Sequence, residues 1–113
     1  MLYEIESLPE CALEAAKLFH ATHLDIIETT LGLSESGFIV VFPPADHSHR
    51  AWRLAAVQEL ARKFAPIRVN AIEGDNGPAL LAARDYVENA PGLTGQLLKL
   101  DGSGAGALLS STT

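Results

Sequence analysis

The sequence predicts an α/β domain: a four-stranded parallel sheet in the order 1-2-3-4 with three flanking helices. Three observations carry this expectation. Short apolar, β-branched runs alternate strictly with longer segments of helical spacing. Every link between two such runs is long enough to hold a helix, so neighbouring strands run parallel. The chain has 113 residues, 48% hydrophobic and 19% charged, which suits one globular domain that buries about two-thirds of its unfolded surface.

The elements follow in order. Leu2 to Glu6 alternates apolar and polar residues, the pattern of a half-buried strand. Pro9 suits the first turn of a helix, where its missing N–H has no partner to lose. Glu10 to Leu31 places Leu13, Ala16, Leu24, Ile27 and Leu31 at helical spacing, with a bend expected at Thr22 and His23 and a stop at Gly32. Phe38 to Phe42 is a continuous apolar run, as in a strand buried on both faces, and Pro43-Pro44 ends it. Asp46 or Ser48 caps the next helix, which repeats Trp52, Ala56, Leu60 and Phe64 every four residues with Val57 alongside. That stripe assigns Arg50, Arg53, Gln58, Glu59, Arg62 and Lys63 mainly to solvent. Ala65-Pro66 closes the helix.

Ile67 to Ile72 reads as the third strand, and Glu73 to Pro78 as a turn. Pro78 to Asn89 is a helix with Leu80, Leu81, Ala83 and Val87 apolar, stopped by Ala90-Pro91-Gly92. Gln96 to Leu100 is the fourth strand. Residues 1–101 thus form one domain, and residues 102–113 a glycine- and serine-rich tail expected to fray.

Composition excludes several function classes. Eight basic against 14 acidic residues give a net charge of -6, the wrong sign for a protein that binds nucleic acid through phosphates. A single cysteine, Cys11, excludes an intramolecular disulfide framework and a multi-cysteine zinc site. No apolar run is long enough to span a membrane. The opening segment has no basic region followed by an apolar one, as a signal peptide would. A soluble cytoplasmic domain with no nucleic-acid and no membrane partner is the expectation. A sheet this small leaves both edges open to pairing, and three helices cover two faces with difficulty. Self-association relieves either problem.

From Gly37 onward the segments GFIVVF, ELARKFAPIRVNAI and AARDYVENAPGLTGQLLKLDG resemble the C-terminal half of the short-chain dehydrogenase/reductase (SDR) family. The resemblance implies a Rossmann-like half domain. It also implies a left-handed last crossover that puts helix 78–89 on the opposite face, against the rule that would place all three helices on one face. In the related enzymes the helices matching 10–31 and 46–65 form a dimer interface, so a homodimer, or a complex with a full-length relative, is implied.

The family's chemical signatures are missing. No Gly-x-x-x-Gly-x-Gly turn joins a strand to a helix, so the pyrophosphate site of a dinucleotide has no counterpart and no cofactor is expected. The family's Tyr-x-x-x-Lys pair falls on Asp46 and Arg50, or on His47 and Ala51 with a slip of one residue. Pro43-Pro44 stands in place of the serine. Glu73-Gly74-Asp75 stands where the family has Ala-Pro-Gly, and carboxylates there would repel a phosphate.

These departures point to a non-catalytic, degenerate SDR-like domain acting through association. The alternative is a small-ligand or nucleotide-binding module built on loops 43–49 and 73–78, with His47, Asn70 and Glu73 as candidate ligand residues and a pocket lined by His47, Arg50 and Asn70. A further alternative is an oxidoreductase subunit whose partner supplies the glycine turn and the tyrosine. No catalytic residue is assigned. If chemistry persists, Asp46, His47 and Arg50 are the candidates, because they sit beyond the carboxyl ends of parallel strands. Adjacent helical residues point apart, so Asp46-His47-Ser48 cannot form a triad by itself and reads as a helix cap. The pairs His20/His23 and His47/His49 are not assigned to a metal, since ligands from separate elements would have to converge.

Overall fold

The computed structural model describes residues 1–75 and 77–100. Its four strands are β1 (Leu2–Glu4), β2 (Gly37–Phe42), β3 (Arg68–Glu73) and β4 (Leu97–Lys99). They form one sheet in the order β1-β2-β3-β4, and every neighbouring pair is parallel. The register sets Leu2 against Ile39, Ile39 against Asn70, and Ala71 against Leu97. The expected tail at 102–113 and the turn residue Asn76 lie outside the described residues.

The helices are α1 (Ala12–Leu18), α2 (Leu24–Leu31), α3 (Arg50–Lys63) and α4 (Pro78–Glu88). Between α1 and α2 the chain keeps right-handed helical dihedrals through a π-helical turn, Phe19–His23. The expected bend at Thr22 and His23 is therefore one widened turn inside a continuous helical path. A π-turn inserts a residue and re-aims the side chains that follow it. Phe19, the first residue of this turn, is fully buried, with its ring 5.6 Å from Phe42 and 5.4 Å from Trp52.

Strand alternation divides the core in two. Phe38, Val40 and Phe42 of β2 and Val69 and Ala71 of β3 face Phe19, Ile27, Leu31, Val57 and Leu60. The intervening residues Ile39, Val41 and Ile72, with Leu98 of β4, face Leu80, Ala83 and Val87 of α4. The helical path from α1 to α3 thus covers one face and α4 the other. All three crossovers step along the sheet in the same direction, so the last turns with the opposite hand to the first two. Strand twist makes right-handed crossovers the rule. The last is then the left-handed exception that the family resemblance implies.

Arg68 fastens α4 to the sheet. From β3 its Nη1 donates to the carbonyls of Ala90 at 2.9 Å and Val87 at 3.2 Å, and its Nη2 to that of Glu88 at 3.4 Å. Those carbonyls lie at and just past the end of α4, where the guanidinium adds a second donor to Val87 and Ala90, which also accept the Ala90 and Leu93 N–H groups. Asn70 completes the connection: its side-chain amide donates to the Leu93 carbonyl at 2.9 Å, and its oxygen accepts from Gln96 N–H at 3.1 Å. Replacing Arg68 by methionine keeps most of the volume and removes the donors. Arg68→Met should cost about 1.5–3 kcal/mol, read in urea unfolding as a lower midpoint with an unchanged slope.

Candidate functional site

Parallel strands aim their carboxyl ends at one side of the sheet. There the segment after β1 and the segment after β2 enclose a cleft of about 520 Å³, lined by Glu6, Leu8, Glu10, Pro43, Asp46 and His49, with Arg53 beneath. Two residues from the start of α3 close its inner wall. The first is His49, which is 2% exposed. Its Nε2 lies 2.8 Å from the Glu10 carbonyl. A carbonyl only accepts, so Nε2 carries the hydrogen, and the Nδ1 lone pair faces the Trp52 indole N–H at 3.5 Å.

The second is Arg53, whose side chain is fully buried. Nη1 donates to the Pro43 carbonyl at 2.8 Å and to Glu73 Oε1 at 3.0 Å. The guanidinium carbon sits 4.7 Å from the centre of the Phe42 ring and 5.5 Å from that of Trp52, so aromatic faces replace water around the charge. Burial pulls the Arg53 pKa down, while the charge and hydrogen bond of Glu73 oppose that pull. Arginine stays protonated in such a setting. Glu73, 5% exposed, also takes the Ala45 backbone N–H at 3.4 Å and has Lys99 Nζ at 3.8 Å. One buried ion pair therefore ties α3, the end of β3 and the loop after β2 together. Arg53 Nε is buried without a hydrogen-bond partner.

The candidates drawn from sequence end in different places. Asp46 caps the turn His47–His49, accepting the Ser48 N–H at 2.9 Å and the Ser48 hydroxyl. These bonds hold its carboxyl below the usual value of 3.8, the Ser48 hydroxyl contributing most. His47 and Arg50 are exposed on the outer side of that turn. Asn70 is 1% exposed and reaches a separate hollow beside Gly37 and Arg68, at the amino ends of the strands. A pocket uniting His47, Arg50 and Asn70 is therefore not formed. Glu73 is the last residue of β3 rather than part of an open turn, and it is spent on Arg53.

Sequence reasoning placed Arg53 with the solvated residues. It lies at i–3 from Ala56, i–4 from Val57 and i–7 from Leu60, which are the buried positions of α3. A charge on that stripe was the available signal, and anchoring the stripe at Trp52 hid it. The tyrosines stay away from the cleft. Tyr3 shares a 2.8 Å hydrogen bond with His23, and Tyr86, on α4, packs against the core between that helix and the sheet. Among the described residues no three His, Cys, Asp or Glu side chains are grouped as metal ligands would be. No described helix is long and apolar enough to cross a membrane.

The family model described as short chain dehydrogenase-like protein matches residues 3–100. The chain belongs to this SDR-like family. The match reaches back over β1, α1 and α2, beyond the Gly37 boundary where the quoted segments begin. Comparison with curated proteins and with solved structures gives no significant match. The SDR-like fold implies a dinucleotide at the carboxyl ends of the strands, and the residues here do not fit one. Glu6, Glu10 and Asp46 rim the cleft, and the loops lack the glycine turn that would bring backbone N–H groups to a pyrophosphate.

Two outcomes test this geometry. Arg53→Met leaves the buried Glu73 with only the half-exposed Lys99 at 3.8 Å and should cost up to about 3–5 kcal/mol in chemical denaturation, whereas Arg53→Met with Glu73→Met should recover most of that loss. Asp46 is more acidic folded than unfolded, so its contribution to stability is present above the unfolded pKa and is lost as pH falls through the folded one. Ser48→Ala should move the Asp46 midpoint, followed by carboxyl-carbon NMR, up toward 3.8.

Proposed function

We propose that this SDR-like domain acts by association rather than catalysis, and that its partner is a second copy of the chain. One observation carries the reading. Between the π-turn with α2 and the outer side of α3 runs an apolar groove of about 480 Å³, lined by His20, Leu24, Trp52, Ala55 and Leu60. Charges of both signs edge it. Lys63 pairs with Glu28 across the two helices, and Arg62 pairs with Glu59 along α3. These four charges sum to zero in a chain whose net charge is -6. A two-fold contact presents the same patch to itself, so it needs a patch with both signs and no net charge. The groove meets that need. The helices involved are those the family resemblance assigns to a dimer interface.

The non-catalytic part of the reading is supported by the cleft. Its buried polar groups are engaged with one another: Arg53 with Glu73 and Pro43, His49 with Glu10 and Trp52. Neither tyrosine stands near enough to serve as a proton donor. The second reading, a small-ligand module, has one observation in its favour, the unpartnered Arg53 Nε beneath the cleft. The acidic rim directs that reading away from nucleotides and toward ligands without negative charge.

Sedimentation velocity across micromolar concentrations should give a dimer. Ala55→Glu places a charge on an exposed groove position and should weaken the dimer at least about tenfold with unchanged thermal unfolding of the monomer. Calorimetric titration with NADH should give no binding heat. A monomer at every concentration, or micromolar NADH binding, rejects the proposal.

A further inference from the structure

His20 stands on the π-turn at the wall of the same groove and is exposed. Its Nδ1 lies 2.7 Å from the Ala16 carbonyl, so Nδ1 carries the hydrogen and the ring is pinned against its own helix. Nε2, the other ring nitrogen, is then the atom that takes a second proton. The ring meets Phe19 edge-on at 5.2 Å and lies 6.3 Å from Trp52. The surroundings that would receive an imidazolium are therefore aromatic and aliphatic.

The charged and titratable groups near it are accounted for element by element. On α1, Lys17 is one turn away and has the wrong sign to assist. On the π-turn, His23 is engaged with the Tyr3 hydroxyl. From α2, Glu28 faces the groove, and its carboxylate is held by Lys63 of α3. From α3, Glu59 faces the groove, and its carboxylate is held by Arg62. His49, before α3, is buried against the Glu10 carbonyl. Both groove carboxylates are paired with a cation of α3, and no hydrogen bond joins either to His20.

We infer that His20 makes self-association through this groove pH-sensitive, the dimer forming with neutral imidazole and separating when the imidazole is protonated. The inference rests on the groove being the self-association surface. A two-fold contact through the groove contains both copies of His20, so acidification adds two positive charges to the buried interface. Desolvation opposes that. The monomer then binds more protons than the dimer, which sets the sign: lower pH favours the monomer. Each dimer that separates can take up two protons, one per His20, so the dissociation constant rises as pH falls.

The test is sedimentation velocity of the full chain at about pH 7.5 and about pH 5.5. The parent should be dimeric at the higher pH, with a dissociation constant at least tenfold larger at the lower one. His20→Gln and His20→Asn, both neutral and able to donate to Ala16, should dimerise equally at both values, with circular dichroism confirming the fold of each. A parent dimer of equal strength at both pH values overturns the inference and leaves the association intact. So does a His20→Gln dimer that weakens on acidification as the parent does. A parent that is monomeric at both values rejects the association itself, and the inference with it.

Discussion

Arg53 carries a full charge into the layer between the sheet and α3, and Glu73 at the end of β3 makes that tolerable. Each ion alone would face a desolvation penalty of several kcal/mol. Paired, flanked by Phe42 and Trp52, and joined to the Pro43 carbonyl and Ala45 N–H, they fix how far α3 stands from β3 and where the loop after β2 runs. The cleft at the carboxyl ends of the strands takes its shape from this arrangement, because the same loop forms its wall. The polar groups of its inner wall are bonded to one another and to the backbone.

Much of the fold was legible. The strands β2 and β3 announced themselves as apolar runs ended by Pro43-Pro44 and by Glu73-Gly74, and α4 by Pro78 at its start. Parallel pairing followed from the length of the links alone. The placement of α4 was not legible in the residue pattern. Its apolar stripe fits either face of the sheet equally well, and only the family resemblance distinguished them. The π-turn was visible only as an irregularity near Thr22, because an inserted residue breaks helical spacing without naming its own geometry.

The site was less legible than the fold, for a related reason. A helical wheel ranks residues by polarity, and a buried arginine defeats it. Arg53 needs Glu73, twenty positions along, before its burial makes sense. His47 and His49 differ by two residues in the same turn, and one points out while the other points in. Nothing in Asp46-His47-Ser48-His49-Arg50 states which. That choice depends on Glu10, which arrives from the other side of the cleft.

The reversed last crossover also matters for synthesis. Ile39, Val41 and Ile72 are made before α4, and their face of the sheet is covered by Leu80, Ala83 and Val87. The helices that emerge earlier all pack on the opposite side. A chain that has reached β3 therefore holds one core lacking only Leu97 of β4 and one bare apolar surface. Premature termination there would leave a soluble-looking fragment with an adhesive side, of the kind that chaperones hold and proteases clear. In this domain, α4 is the element that turns the second face of the sheet from an open apolar surface into a core.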